Sequence, residues 1–466
     1  MMKNPLVHKD MAVVVLGLGI SGMAAVRYLH GLGCRVFISD ARLEAQLSAR
    51  EQHTVAQYCE GSEFGSHSEE FLAQGELIFK SPGIPRQLNV LQKMMQAGVE
   101  VVGELALAAP VLQCKVVAIT GTNGKTTVAT LIGELLEAAG KKVCVCGNIG
   151  RPLLDVISSE EEMDVAVVEV SSFQLEDVGS FRPNVGVILN ITPDHLDRHI
   201  SIEDYIQAKI KIFANQKKGD IAIVCADDLI CVELAKRSAE IQPLLFGHGK
   251  ENAGYICESD IYLRWLGQLE KYNLTGSPLD THIGRLNGAA AIMAARSCGC
   301  ERDSLERALR AFQPLPHRME LVDVIHGVRY CNDSKATNTG AVISALREAK
   351  GNIVLIAGGR DKGDDYRLLR QAVSEKVKKL ILIGEAAAQI GEQLGNLVST
   401  EYADSLEEAV FQASGAAAYG DTVLLSPACA SFDMFDSYGH RGQVFRDSVR
   451  RLKIESVSDL VSGGKL

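Results

Sequence analysis

The chain has 466 residues, of which 47% are hydrophobic and 23% charged, and its formal net charge is −10. The length predicts about three domains, the hydrophobic fraction excludes a disordered chain, and the acidic balance argues against nucleic acid as the main partner. The 12 cysteines include no C-x-x-C pair, which argues against zinc sites and disulfides, and no apolar run reaches the roughly 18 residues of a membrane span. We therefore expect a soluble, cytoplasmic protein.

The first motif along the chain is a glycine fingerprint. A predicted strand over residues 11–16 leads into GLGISG (17–22) and a helix, and a second strand ends in Asp40. This pattern predicts that a phosphate or another polar group approaches the helix N-terminus closely. Taken alone it fits NAD or FAD, although the glycines do not identify the ligand. A later strand, Leu77–Lys80, ends in SPGIP (81–85), at a position where α/β sheets bind ligands.

The second motif is the segment TGTNGKTT (120–127), which follows an apolar, β-branched strand and precedes an amphipathic helix. A strand, a glycine-rich turn and a helix in this order form a phosphate cradle, in which Lys125 reaches the outer phosphates and Thr126 ligates Mg²⁺. The general phosphate-loop pattern has glycine where this chain has Ile119, so the loop is a shortened variant. A tight turn with a merely solvated lysine is the alternative, and the sequence GKTT directly after a strand disfavours it.

Two further side chains are metal candidates. A predicted strand over residues 164–170 carries Glu169 near its end, the usual place of a carboxylate that holds Mg²⁺. A solvated strand end is the alternative, and the polar turn that follows at 171–174 favours the metal ligand. A strand over 185–190 is followed by His195 between Asp194 and Asp197. This histidine is a metal or acid–base candidate, while in isolation a surface histidine is the more common case. A helix over 201–213 follows and contains Lys209.

The rest of the chain is predicted to alternate strands and helices. Residues 220–300 show this pattern and end in a small-residue helix from Asn287 to Cys298, and two prolines near Leu315 mark the start of a third unit. Its predicted strands cover residues 328–332, 353–357, 379–383 and 422–425. Polar segments follow three of them, at 333–338, 358–363 and 426–431, where the carboxyl ends of strands build a site.

The chain resembles the Mur ligases over nearly its whole length. The motifs that carry the resemblance are GLGISG, SPGIP, TGTNGKTT, GNIG, EVSSFQLE, LNITPDHLDRH, YIQAK, LPHRME, NDSKATN, GGRDKG and LLSPACASFD, in that order. NDSKATN and SPACASFD are typical of the members that add D-glutamate. The resemblance implies an α/β fold of three domains: a Rossmann-like N-terminal domain (1–109), a central P-loop ATPase-type domain (110–314) and a Rossmann-like C-terminal domain (315–466).

The implied activity is ATP-dependent addition of D-glutamate to UDP-N-acetylmuramoyl-L-alanine through an acyl phosphate, in cytoplasmic peptidoglycan precursor synthesis. The implied cofactors are ATP and two Mg²⁺ ions, and the implied state is a monomer without nucleic acid or a membrane span. By motif, the residues implied to hold the UDP-sugar are Ile20, Ser21, Asp40, Arg42, Ser81, Gly83 and Asn148. Those implied to bind ATP are Gly121, Thr122, Asn123, Gly124, Lys125, Thr126, Thr127, Asn287, Arg318 and Asp333. Those implied to surround D-glutamate are Lys335, Thr337, Lys362, Ser431, Phe432 and Tyr438.

The resemblance also implies the metal ligands and the catalytic set. Thr126 and Glu169 would hold one Mg²⁺, and His195 with a carbamylated Lys209 would hold the second. The implied catalytic residues are Lys125, Glu169, His195 and Lys209.

Three other functions stay open on the sequence. A folylpolyglutamate synthase is an alternative of the same class, because the phosphate loop fits it as well. An NAD-dependent oxidoreductase built on the 17–22 glycines is an alternative of another class, but it leaves Lys125 and the third unit unexplained. A non-catalytic nucleotide-binding regulator would need only the phosphate loop, and it predicts no turnover with any amino acid.

Overall fold

The computed structural model describes residues 4–159, 161–195, 198–238 and 241–463. The chain forms two compact units, of which the first comprises Met1–Ile191, Glu203–Asp280 and Gly284–Phe312, and the second Thr192–Ile202, Thr281–Ile283 and Gln313–Leu466. The described residues form two sheets in the first unit and one in the second. The first unit contains the first predicted domain and most of the second, and the boundaries at 109/110 and 314/315 stay predictions. Within the described residues, no helix combines the length and the apolar character that crossing a membrane requires.

The first sheet has five parallel strands in the order β3-β2-β1-β4-β5. Its strands are β1 (Ala12–Leu16), β2 (Arg35–Asp40), β3 (Gly61–Phe64), β4 (Leu77–Lys80) and β5 (Glu100–Val102). Its helices are α1 (Ile20–Gly31), α2 (Ala49–Tyr58), α3 (Glu69–Leu72), α4 (Asn89–Gln96) and α5 (Glu104–Ala108). Strand β1 is buried along its whole length and lies between β2 and β4. The glycine fingerprint after β1 and the SPGIP segment after β4 therefore lie side by side.

The second sheet has nine strands in the order β14-β13-β12-β11-β10-β9-β6-β8-β7. Its strands are β6 (Lys115–Thr120), β7 (Val143–Gly147), β8 (Val165–Glu169), β9 (Val185–Ile188), β10 (Ile221–Cys225), β11 (Leu244–Gly247), β12 (Gly254–Cys257), β13 (Asp260–Trp265) and β14 (Gln268–Asn273). Its helices are α6 (Lys125–Ala138), α7 (Leu153–Ser158), α8 (Ser172–Glu176), α9 (Ile202–Ile210), α10 (Leu229–Ser238), α11 (His282–Ser297) and α12 (Arg302–Ala311). Strand β6 lies between β9 and β8, third from the β7 edge, so the phosphate loop follows an interior strand of the sheet.

The predicted alternation of strands and helices over 220–300 is wrong between residues 254 and 273. There β12, β13 and β14 follow one another directly as an antiparallel extension of the sheet. Buried and more exposed residues alternate along β13, for example buried Ile261 and Leu263 with less buried Tyr262 between them. This period of two is typical of strands with one solvated face. The helix that was expected to begin at Asn287 begins at His282.

The third sheet has six strands in the order β15-β16-β20-β17-β18-β19. Its strands are β15 (Glu320–Ile325), β16 (Val328–Asn332), β17 (Ile353–Gly358), β18 (Val377–Ile383), β19 (Ser399–Tyr402) and β20 (Thr422–Leu425). Its helices are α13 (Thr339–Glu348), α14 (Arg370–Lys376), α15 (Ala387–Leu394), α16 (Leu406–Ala416) and α17 (Tyr438–Gly463). The four predicted strands are confirmed, and β15 and β19 are additional edge strands. Because β16, β20 and β17 are parallel neighbours, their carboxyl ends bring three polar loops together.

Candidate active site

The phosphate loop spans residues 121–124, between the end of β6 and the start of α6. Gly124 has φ +87°, a conformation that side chains disfavour, and a Cβ atom placed there would lie 2.8 Å from Asn287 Oδ1. Asn287 of α11 therefore lies against the loop. Asn190 holds the loop from another side, because its Oδ1 accepts the Asn123 N–H at 2.8 Å and its Nδ2 donates to Asn123 O at 3.0 Å. The loop is thus fixed by two asparagines distant in sequence.

Two lysines donate to the same carbonyl oxygen of this loop. Lys125 Nζ donates to Gly121 O at 2.8 Å and to Thr122 O at 2.9 Å. The buried Lys209 of α9 also donates to Gly121 O, at 2.9 Å, and its Nζ lies 4.5 Å from the ring centroid of Tyr205. The Tyr205 hydroxyl is 2.9 Å from Thr122 Oγ1. Positive charge is therefore concentrated at the loop, beside the half-buried Thr126 and Thr127 in the first turn of α6.

Glu169, the last residue of β8, has the features of a cation ligand. Its side chain is buried, and its Oε1 accepts a hydrogen bond from Asn148 Nδ2 at 2.8 Å. Its Oε2 is buried without a hydrogen-bond partner in the described part of the chain. An orphaned buried carboxylate oxygen is costly, and it suits a hard cation such as Mg²⁺. Asn148 is occupied by Glu169, and its implied contact with the UDP-sugar stays a prediction.

His195 lies in a strained turn of the second unit. It has φ +58°, and its Nε2 lies 3.7 Å from Asp194 Oδ2. Asp194 is itself buried and accepts hydrogen bonds from Lys362 Nζ at 2.9 Å and Asn338 Nδ2 at 3.0 Å. Lys362, which was predicted to bind D-glutamate, is thus paired with Asp194 here. The second predicted aspartate, Asp197, lies outside the described residues.

In the part of the chain that the structure describes, acidic, histidine and cysteine side chains do not form a ready metal centre. Within residues 4–159, 161–195, 198–238 and 241–463, no group of three or more such residues is arranged to hold an ion. An unmodified ammonium such as that of Lys209 has only donors and cannot ligate a metal. The joint role of His195 and Lys209 therefore stays a prediction, and it requires the carbamylated form of the lysine.

Apart from Asn148, which follows β7 of the second sheet, the residues predicted to hold the UDP-sugar lie at the carboxyl edge of the first sheet. Asp40 Oδ2 accepts the Leu18 N–H at 2.7 Å, and Arg42 Nε donates to Asp40 Oδ1 at 3.0 Å. Burial alone would raise the pKa of Asp40, but these hydrogen bonds outweigh it and hold the pKa below its ordinary value. Ser81 Oγ donates to Gly17 O at 2.7 Å, which ties the two neighbouring loops together.

The remaining members of the UDP set differ in exposure. Ile20 is 70% exposed at the start of α1, and a Cβ atom on Gly83 would meet no atom within 4 Å. Both positions therefore face open space, and their implied contacts with the UDP end stay predictions. Ser21, in contrast, donates to Glu104 Oε2 at 3.3 Å.

The residues predicted to surround D-glutamate lie on the loops after β16, β17 and β20 and at the start of α17. Lys335 Nζ lies 3.8 Å from the ring centroid of Tyr438. Thr337 is half-buried, Ser431 is buried, and Phe432 is 66% exposed. The structure thus brings these residues to one edge of the third sheet, together with Lys362.

Asp333 is a buried acid on the loop after β16. Its Oδ1 accepts the Met319 N–H at 3.2 Å and its Oδ2 accepts the Ser426 hydroxyl at 3.0 Å. Burial raises the pKa of Asp333 to about 7, although both hydrogen bonds and the charge of Arg318 oppose the rise. The predicted nucleotide contacts of Asp333 and Arg318 stay predictions.

Sequence reasoning missed three buried charged residues. Lys80 ends β4 and pairs with Asp177 Oδ2 at 2.9 Å, and Arg86 pairs with the other oxygen of the same carboxylate. Glu104 is buried and accepts from Gln174 Nε2 at 3.1 Å, and burial raises its pKa. Arg441 of α17 is completely buried. The position of Lys80 at the end of an apolar strand could have indicated a buried charge. The residues around Arg441 give no such indication.

Comparisons with known proteins agree over most of the chain. Three domain models match in succession: a Mur ligase MurD-like N-terminal domain at residues 11–103, a Mur ligase middle domain at 119–286 and a Mur ligase glutamate ligase domain at 317–429. The UDP-N-acetylmuramoylalanine--D-glutamate ligase of Desulfotalea psychrophila is 50% identical over 455 residues, which cover 97% of this chain and 98% of that protein. The protein of the same name from Trichlorobacter lovleyi is 43% identical and covers 94% of this chain and 98% of that protein.

A solved structure supports the same fold at lower identity. The MurF ligase of Thermotoga maritima, in complex with ADP, superimposes with a TM-score of 0.59 at 18% identity, covering 95% of this chain and 96% of that chain. This likeness concerns the fold, whereas the 50% identity over nearly the full length concerns the family. With a Rossmann-like domain at each end and a P-loop α/β domain between them, this chain belongs to the Mur ligase family.

Proposed function

We propose that this chain joins D-glutamate to UDP-N-acetylmuramoyl-L-alanine by an amide bond, at the expense of ATP, as a step of peptidoglycan precursor synthesis. The observation that carries the proposal is the 50% identity, over 97% of the chain, to a ligase of that name. The arrangement of Lys125 and Gly124 at the start of α6 supports the use of a nucleoside triphosphate.

The proposed reaction has two chemical steps. A carboxylate is a poor acylating agent, so a carboxylate oxygen of the alanyl group first bonds to the γ-phosphorus of ATP and ADP leaves. The amine of D-glutamate then attacks the carbonyl carbon of this acyl phosphate, a proton is lost from the nitrogen, and inorganic phosphate leaves. Negative charge develops on the phosphoryl oxygens in the first step. Lys125 is the residue proposed to stabilise that charge, and its hydrogen bond to Gly121 O of the phosphate loop supports this role.

Mg²⁺ is the cation that this chemistry calls for, and it would neutralise charge on the phosphate oxygens when bound. Glu169 fits the first site because its buried Oε2 lacks a partner among the described residues, and Thr126 would supply a hydroxyl oxygen. We extend the proposal to a second site that includes His195 and carbamylated Lys209. The buried position of Lys209 at the phosphate loop supports this role.

The amino acid is proposed to bind at the polar loops of the third sheet. Lys335, Lys362 and Ser431 lie on three separate loops at neighbouring strand ends, which suits two carboxylates held at fixed points. Lys362 would then exchange its contact with Asp194 for a substrate carboxylate.

A coupled phosphate-release assay tests the proposal. UDP-N-acetylmuramoyl-L-alanine and ATP would be supplied with D-glutamate, L-glutamate or D-aspartate in parallel, and we expect turnover with D-glutamate. Lys125→Ala should lower turnover about a hundredfold, the usual effect of removing one well-placed donor to developing charge. Phosphate release that needs a folate instead of the UDP substrate would indicate a folylpolyglutamate synthase. An absence of release with every amino acid would leave a nucleotide-binding regulator, and absorbance changes with a nicotinamide cofactor would indicate an oxidoreductase.

A further inference from the structure

Arg441 is a buried cation without a role in the proposed chemistry. It lies in the first turn of α17 and has an exposed fraction of 0%. Its Nε donates to Ser334 Oγ at 3.0 Å and its Nη2 donates to Ser334 O at 2.9 Å. On the other side, Nη2 donates to Cys429 O at 3.1 Å and Nη1 donates to Ala430 O at 3.2 Å. Ser334 directly precedes Lys335, and Ala430 directly precedes Ser431. Both Lys335 and Ser431 are proposed to bind D-glutamate.

The third polar loop reaches the same guanidinium. A Cβ atom on Gly359 would lie 3.0 Å from Arg441 Nη1, so the backbone there passes directly beside the charge. Arg360 N donates to Ala430 O at 2.9 Å, and Ala430 N donates to Arg360 O at 3.1 Å. The loops after β16, β17 and β20 therefore meet at one planar group, whose fork of donors fixes direction as well as distance.

Among the described residues, no carboxylate accepts a hydrogen bond from Arg441, although the charge of Asp433 acts on the guanidinium. Its hydrogen bonds in the described structure go to carbonyl and hydroxyl oxygens and to no carboxylate. Burial lowers the pKa of Arg441 to about 10, so the group stays protonated at neutral pH. A buried cation without a hydrogen-bonded carboxylate is costly, and the part of its field that Asp433 does not offset favours an anion bound nearby.

We propose that Arg441 is a positioning residue for the amino acid substrate: it locks the loops that carry Lys335, Lys362 and Ser431 and adds positive potential for an anionic amino acid. The inference rests on the proposed function, because those loops are assigned to D-glutamate there. Arg441 acts through the loops and does not itself contact the substrate.

The test compares KM values in otherwise identical phosphate-release assays. Arg441→Lys keeps the charge but lacks the four-contact fork, so KM for D-glutamate should rise at least tenfold while KM for ATP changes less than twofold. Arg329→Lys is the matched control, because Arg329 Nη2 donates to a backbone carbonyl, Gly420 O, at the opposite end of β16 at 3.1 Å. The control should leave both KM values unchanged.

Two further measurements separate positioning from general stability. The Arg441→Ala variant should have a raised KM for D-glutamate, and millimolar guanidinium should lower it again. The same concentration of guanidinium should not change the KM for D-glutamate of the control variant Arg329→Ala. If the Arg441 variants do not fold, Ser334→Ala still removes one contact of the guanidinium and should raise KM for D-glutamate about threefold. Equal increases for ATP and D-glutamate, or unchanged KM for D-glutamate in a folded variant, would overturn the inference. Failure of the wild-type protein to turn over D-glutamate would instead overturn the proposed function.

Discussion

The chemical state of Lys209 controls the charge at the phosphate loop. Its Nζ and that of Lys125 donate to the same oxygen, Gly121 O, at 2.9 and 2.8 Å. The two nitrogens therefore lie less than about 6 Å apart, where two positive charges repel by about 3 kcal/mol at an effective dielectric constant of about 20. Carbamylation of Lys209 by CO₂ would turn this repulsion into an attraction of similar size. It would also provide the oxygen ligands that Mg²⁺ prefers.

We therefore predict that Lys209→Ala loses about a hundredfold in turnover, because an attraction of about 3 kcal/mol corresponds to about two powers of ten in rate. Acetate should partly restore the phosphate-release rate by occupying the vacated oxygen positions. Lys211→Ala is the matched control, since Lys211 is the next lysine along the chain and its Nζ donates to Glu176 O at 2.9 Å. It should keep its activity and show no response to acetate.

Labelled bicarbonate gives a readout that does not depend on turnover. The wild-type protein in ¹³C-bicarbonate should show a carbamate resonance that is present in Lys211→Ala and absent in Lys209→Ala. Wild-type turnover in Lys209→Ala, an active wild-type protein without the resonance, or equal acetate stimulation of both variants would each refute the reasoning.

Three further predictions concern single residues of the two units. Lys362→Met should raise KM for D-glutamate far more than KM for ATP. The variant lacks the ammonium that lies 2.9 Å from Asp194 Oδ1 and that is proposed to bind a carboxylate of D-glutamate. Equal increases in both KM values would indicate that Lys362 belongs to the nucleotide site. Gly124→Ala should raise KM for ATP at least tenfold. A residue with a side chain at φ +87° is destabilised by about 1–2 kcal/mol, and the new methyl group would clash with Asn287. An unchanged KM for ATP would contradict this loop geometry. Asp333 has a folded-state pKa of about 7, above the unfolded value, so its stabilising contribution is present below about pH 4 and is lost as the pH rises to about 7. Asp333→Asn should therefore flatten the fall of Tm between pH 4 and pH 7, and an unchanged slope would show that Asp333 is not the titrating group.

The sequence by itself determined the local parts of this protein. The strand before TGTNGKTT, the turn and the start of α6 at Lys125 follow from β-branched residues, glycines and amphipathic spacing, all of which act between near neighbours. The same holds for Glu169 at the end of β8 and for the strands that carry the polar loops of the third sheet. The family resemblance then extended these local patterns to the order of the domains.

Only the tertiary structure decided which distant residues meet. Lys209 reaches Gly121 O across 88 positions of the chain, and Arg441 reaches Ser334 across 107. Neither contact can be predicted from the neighbouring residues. The sequence around a single lysine or arginine on a helix looks the same whether its charge is solvated or buried. The hydrogen bonds of such a group are fixed by sheet order and by the packing of helices on the sheet. Those long-range contacts set both the charge at the phosphate loop and the junction of the three polar loops.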